Sequence, residues 1–268
     1  MTPLPPPAPA GGTAPAAVPT PDVIFGADLA LWLDARVSSS IESDKDGHLT
    51  RWLDRSGHKH HANTYGSWAP SVVPAFVDGQ ATLHFAWPNG QSSSALRAPS
   101  LGLVAKDATV IVVAAQSSAL SVNNRPMLLL EGTLYSPESG LALYGANPTS
   151  TQAHARVGKT WLSSVRDGWN DEHLHVFTLV RAGTTMTLRV DGESSSAPGP
   201  GYMQPYSGWQ EGTWIGGFFV DCAEGCSHGV YDRLEGDIAE VIVAHTSPSQ
   251  AANSALEMYI GARYGLPF

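Results

Sequence analysis

The feature that most limits what this chain can become is the shortness of its apolar runs. From residue 22 onward they alternate or stay apolar for only a few residues, then break at Gly, Pro, Asn, Asp or Ser. Leu29–Asp34, Leu49–Asp54, Val72–Val77, Ala81–Ala86, Thr109–Ala115 and Met127–Glu131 read as strands on this criterion. So do Gly140–Tyr144, His154–Val157, Thr213–Phe219 and Asp237–His245. His173–Arg181 and Met186–Asp191 flank the connector AGTT, and a closing Asp-Gly follows, which together read as a hairpin with turn chemistry at both ends. Only Ser249–Tyr264 has helical periodicity, through Ala252, Leu256, Tyr259 and Ile260. Ser247 or Ser249 would cap that helix and Gly265 would close it. About a dozen strands and one terminal helix make an all-β, two-sheet antiparallel jelly-roll sandwich.

Composition narrows the setting. Charged residues are 15% of the chain, against roughly 25% in an average soluble protein. A helical bundle or coiled coil is excluded by that scarcity together with the abundance of turn residues. The net charge is −9 and the 15 basic residues are scattered, so nucleic acid is not an expected partner. No apolar run is long enough for a transmembrane helix.

Residues 1–21 stand apart. They hold eight of the 20 prolines and no charged side chain, the signature of an extended, semi-stiff linker. They lack the basic and apolar regions of a signal peptide. A tether of this kind suits an exported protein, so 1–21 is expected to be a disordered linker and 22–268 the folded domain, extracellular or at the cell surface. Cys222 and Cys226 lie in DCAEGCSHG. A local disulfide, which goes with export, is the first reading. Two free thiols are the second. A zinc site with His228 lacks a visible fourth ligand.

Four blocks carry a resemblance: LALWLDA (29–35), LTRWLDRSGHKHHA (49–62), HLHVFTLVRAGTTMTLRVDGE (173–193) and LEGDIAEVIVAHTSPSQAANSALEMYIGARYGLP (234–267). In this order they resemble the laminin-G-like jelly-roll domains of the concanavalin A-like lectin/glucanase superfamily, as found in bacterial surface and secreted proteins. The resemblance implies two stacked antiparallel sheets, and binding of carbohydrate or protein more often than catalysis.

Several residues have a chemical reading beside a structural one. Asp54, Ser56 and Gly57 read as a structural turn, with calcium at Asp54 as the alternative. Asp44 and Asp46 resemble part of a calcium loop, but the closing Glu of an EF-hand is absent. No cofactor is therefore expected. His58, His60 and His61 read as solvated, and His173 and His175 as packing or hydrogen-bonding residues of one strand face. Glu235, Asp237 and Glu240 match the E-x-D-x-x-E signature of laminarinase-type glycoside hydrolases. A regular strand would split them between two faces, and only a β-bulge would reunite them. Such a pair needs its carboxyl groups in a shared groove. The structural alternative makes Glu240 a buried carboxylate that requires hydrogen-bond donors.

Aromatic residues are the best indicator of a ligand. Trp32, Trp52 and Trp214 alternate with apolar residues and read as core. Trp87, Trp161, Trp169, Tyr202, Tyr206 and Trp209 lie in Gly-, Pro-, Asn- and Ser-rich stretches, beside Asn89, Asp167, Asn170, Asp171 and Gln210. Rings that pack on sugars, next to amides and acids, make this set the expected ligand site on rim loops. The function expected is a non-catalytic recognition module, for a glycan or for an extracellular protein, with no catalytic residues.

Overall fold

A computed structural model describes residues 17–66, 69–76, 79–86, 94–118, 126–132, 140–146, 151–203, 211–220 and 229–266. In chain order the elements are α1 (Pro21–Phe25), β1 (Leu29–Asp34), β2 (Ile41–Ser43), β3 (Leu49–Trp52), β4 (Ala62–Tyr65), β5 (Ser71–Val73), β6 (Thr82–Phe85) and β7 (Ala95–Ala98). Next come β8 (Ala108–Gln116), β9 (Met127–Gly132), β10 (Gly140–Tyr144), β11 (Gln152–Val157), β12 (Thr160–Asp167), β13 (Leu174–Ala182) and β14 (Thr185–Val190). The last are β15 (Glu193–Pro198), β16 (Thr213–Ile215), β17 (Phe218–Val220), β18 (Gly229–Tyr231), β19 (Gly236–Ala244) and α2 (Gln250–Tyr264).

These strands form two antiparallel sheets. One has eight strands in the order β15-β14-β13-β8-β19-β6-β5, with β1 also paired to β19. The other has nine, in the order β12-β11-β10-β9-β16-β7-β4-β3-β2. Strands β17 and β18 form a separate small pair. The expected two-sheet sandwich with one C-terminal helix is therefore the observed architecture. Pro21, which the sequence places in the linker, is buried at the first turn of α1, where its fixed φ suits a helix start.

Three apolar layers follow from the alternation of side chains. The layer between the sheets holds Leu31 and Leu33 of β1, Val110 and Val112 of β8, Leu141 and Leu143 of β10, and Val241 and Val243 of β19. Alternate positions of the eight-stranded sheet pack outward: Trp32, Ile111, Val113 and Ile242 meet Leu256, Tyr259, Ile260 and Tyr264 of α2. This explains why β8 and β19 read as unbroken apolar runs. Both their faces are covered, as in few antiparallel strands. Helix α2 starts as the sequence predicts, with Ser249 accepting a hydrogen bond from the Ala252 amide and Gly265 closing the helix at φ 68°. The third layer lies on the outer face of the nine-stranded sheet and includes Met127, Leu130, Tyr144, Trp214 and Phe218.

Turn chemistry sets the hairpin β14–β15. Asp191 and Gly192 both adopt positive φ (46° and 84°), the two-residue turn that matches strand twist. Strand β15 itself, ESSSAP, carries no apolar signal and pairs through its backbone.

Candidate functional site

Cross-strand pairing builds one continuous row on the outer face of the nine-stranded sheet. Arg51 stands opposite Asn63, Asn63 opposite Arg97, and Arg97 opposite Trp214. The row continues through Leu130, Ala142 and Arg156 to Trp161 at the edge. Directly opposed residues share a face. The row thus places arginines and tryptophans together although they are far apart in sequence.

Its two ends differ. Towards one end, two strands in from Arg51, Arg97 lies 5.3 Å from the Trp214 ring centroid and 5.8 Å from that of Tyr65, and its Nε donates to the Glu211 carbonyl. At the other end the Trp161 ring stacks on Tyr144 at 5.7 Å with an interplanar angle of 26°. The Arg156 guanidinium stands 5.7 Å from the Trp161 centroid. Tyr144 is 2% exposed and Trp161 44% exposed, so a buried ring backs a ring that keeps much of its surface in water. One row further along β11 and β12, His154 and Ser163 are hydrogen-bonded at 3.0 Å. Arg156 is 6% exposed, so what a ligand reaches here is the backed Trp161 ring with the half-buried His154 and Ser163, and a supported aromatic face beside polar side chains is chemistry that suits a sugar ring.

The other expected site residues divide. Trp161 belongs to the edge strand β12 and not to a loop, because TWLSSVRD pairs with β11. Trp169 is a correction: it is 2% exposed, and its indole N–H donates to Ser164 Oγ and to the Arg166 carbonyl. The ring is part of the core and offers no stacking surface. Asp167 ends β12 exposed, and Asn170 is half-buried in the loop that follows. Trp87, Asn89, Tyr206, Trp209, Gln210, Cys222 and Cys226 lie outside the described residues. The partners that sequence reasoning missed, Arg97, Tyr144 and Arg156, are brought to the row only by long-range strand pairing.

The bulge that the E-x-D-x-x-E reading requires does exist. The β19–β8 register shifts between Ile238 and Glu240, and Asp237 and Glu240 both fall on the outer face. They do not share a groove. Glu240 is 0% exposed beneath α2, where Trp32 Nε1 (2.7 Å) and Tyr259 OH (2.6 Å) donate to Oε1 and Tyr264 OH (2.8 Å) to Oε2. Arg263 Nε stands 3.5 Å from Oε2. Burial and the neighbouring Asp34 push the Glu240 pKa up, while Arg263 and its hydroxyl and indole donors oppose them. Glu240 is thus the donor-saturated structural carboxylate, and glycosidase chemistry through this set has no geometric basis.

The residues of the calcium and histidine readings make specific local contacts. Asp54 accepts from the Trp32 and Ser56 amides at Oδ1, and from Ser56 Oγ and the His60 amide at Oδ2. Its oxygens are thereby committed to shaping the turn. His60 and His61 each commit Nδ1 to a backbone group. Asp44, Asp46 and His48 bring one ligand atom each within 4.8 Å of one another at the exposed β2–β3 turn. There Asp44 Oδ1 accepts from the Asp46 and His48 amides, and Lys45 pairs with Asp46. His175 is 9% exposed and held between two acids, with Asp191 at 2.7 Å from Nδ1 and Asp171 at 2.9 Å from Nε2.

A two-sheet antiparallel β-sandwich with a ring-backed tryptophan on one outer face defines the class at the level of architecture. No protein-family model matches the chain. No curated protein matches it either. Among solved structures, Trypanosoma rangeli sialidase in complex with a difluoro-KDN aligns over 98% of this chain and 36% of that one, with TM-score 0.58 and 16% identity. The botulinum neurotoxin serotype D binding domain aligns over 90% of this chain and 55% of its own, with TM-score 0.53 and 12% identity. A botulinum neurotoxin type C structure, described as depending on two ganglioside molecules for cell entry, gives TM-score 0.52 and 9% identity over 85% of this chain and 50% of that one. The chain thus spans about a third of the sialidase and about half of the toxin chains. At these identities the likeness is one of fold.

Proposed function

We propose that this chain is a carbohydrate-recognition module that works by binding, through the Trp161 edge of its nine-stranded sheet. The observation that carries the reading is Trp161, 44% exposed and fixed by its stack on buried Tyr144. A ring held in place before binding loses little freedom when a sugar packs on it. Arg97 meets no carboxylate among the described residues and stands beside the Trp214 ring, a guanidinium that favours an acidic glycan unit. The sialidase and the toxin binding domains, whose names point to sialic-acid-type ligands and gangliosides, support the same direction. The four-block resemblance to laminin-G-like domains, the Pro-rich segment and a Cys222–Cys226 disulfide would place the module outside the cell.

A glycan array containing acidic and neutral oligosaccharides tests this, followed by titration of the strongest hit. We expect Trp161→Ala to weaken that hit at least tenfold with an unchanged melting temperature, and Trp161→Phe to retain part of the affinity. Equal affinity of the alanine variant and the native chain would overturn the assignment.

A further inference from the structure

The outer face of the eight-stranded sheet holds a pocket with no part in the glycan row. It measures about 250 Å³ and is lined by Phe76, His84, Ser117, Glu172, Gly236 and Asp237, among others. Strand pairing puts Asp237 of β19 opposite His84 of β6. Thr82 Oγ1 donates to Asp237 Oδ1 at 2.8 Å, and His84 Nδ1 lies 3.1 Å from Oδ2. The Asp237 side chain is 3% exposed and the His84 side chain 38% exposed, so a buried carboxylate orients a ring that reaches the pocket. Nε2 of that ring has no hydrogen-bond partner among the described residues. At Gly236 a Cβ would stand 2.2 Å from the Ala115 carbonyl oxygen, so this part of the lining must be bare backbone. Glu172, at φ 68°, lines the pocket too, with Oε1 accepting from Ser118 Oγ.

The charges decide what fits. Asp237, Glu172 and Glu235, whose charge is felt at His84, outnumber the single imidazole. Thr82 and Ala115 add no charge and Phe76 adds an apolar wall. An anion would meet this acidity unfavourably, whereas a hydrogen-bond-donating cation finds acceptors and a ring together. We propose that this pocket is a second binding site, for a primary ammonium group on a compact stem with an apolar face, as in an amino sugar or a lysine side chain. The ammonium donates to Glu172 and to Nε2 of neutral His84, and the stem lies on Phe76.

The hydrogen bond that His84 donates to Asp237 raises the His84 pKa, opposed by burial. Ammonium binding must displace that proton, so affinity rises as pH climbs through the His84 titration. The test is a titration of the native chain with glucosamine and with Nα-acetyl-lysine amide, read by calorimetry and by the His84 ring signals in NMR. N-acetylglucosamine and Nα-acetyl-norleucine amide serve as neutral controls. We expect an ammonium probe to bind and move the His84 signals while its neutral counterpart does not, the tighter of the two naming the source. Glu172→Gln should weaken binding at least tenfold at an unchanged melting temperature, and His84→Gln, which can still hydrogen-bond Asp237, should weaken it as well. Trp161→Ala should leave it intact, so this site and the glycan face can fail separately. Silence of His84 toward both ammonium probes, or equal binding of the neutral controls, would overturn the proposal.

Discussion

Glu240 and Asp34 are opposed across the β1–β19 pair, both 0% exposed, and two buried carboxylates this close repel each other. Arg263 offsets the repulsion by contacting both, and Arg55 Nη1 adds a 2.8 Å contact to Asp34. The two tyrosine hydroxyls and the Trp32 indole complete the set, so β1, β19 and α2 are locked through a single acid. Glu240→Ala would leave these donors buried without an acceptor. Urea unfolding should show a loss of about 3–5 kcal/mol, the range for breaking one partner out of a buried ionic group. A loss under about 1 kcal/mol would mean that the network relaxes freely.

His175 makes a second prediction at this scale. Burial pulls its pKa down, but the hydrogen bonds and charges of Asp191 and Asp171 outweigh burial, and the net direction is up. Burial pushes the Asp171 pKa up, yet its hydrogen bond from His175 and the His173 amide leave it lowered. A raised histidine pKa contributes stability that is fully present below the unfolded value of about 6.5 and lost as pH rises through the folded value. A lowered aspartate pKa contributes stability that is present above about 3.9 and lost as pH falls through the folded value. The clamp is strongest between those limits. Thermal unfolding across pH should show the native chain losing stability above that window relative to His175→Gln, whose side chain does not titrate. The donors around Glu240 could be expected from the sequence, since Glu240 stands among Ile238, Val241 and Ile242. The clamp could not, because Asp191 and Asp171 reach His175 from separate turns.

At the scale of elements, strong periodicity was easy to read and short strands were not. The strands β1, β8, β10, β13, β14 and β19 and the helix α2 with its two caps follow from local pattern alone. Strands β2, β4, β7, β12, β15 and β18 do not. Their runs are only three or four residues, as in β7, or polar, as in β15, and the neighbouring strand defines them. In the sequence Trp161 therefore reads as a loop residue, although its strand is what fixes its stack. The bulge in β19 is equally invisible in sequence. One close approach gives the prediction for this scale. At Gly216, with φ 74°, a Cβ would stand 2.2 Å from the Phe85 ring, where β16 meets the core between the sheets. Gly216→Ala should cost about 1–3 kcal/mol in chemical denaturation, the range for overpacking a core. A neutral substitution would show that Phe85 has room to move.

For the whole molecule, the two sheets share one core but present different outer faces. The eight-stranded sheet is roofed by α2 over its buried charge network. The nine-stranded sheet carries the arginine–aromatic row, with a partly exposed tryptophan at its edge. The sandwich itself was legible from run lengths, because two apolar periodicities per strand suffice to specify layers. Which outer face would bind was not, since it depends on which side α2 covers. The central claim is that the glycan lies on Trp161, and the tryptophan indole N–H signals of the 15N-labelled chain test it most directly. On titration with the best array hit, the Trp161 signal should move in proportion to occupancy while those of Trp32, Trp52 and Trp169, all at most 5% exposed, stay in place. A saturable binding event that leaves the Trp161 signal still would contradict the account.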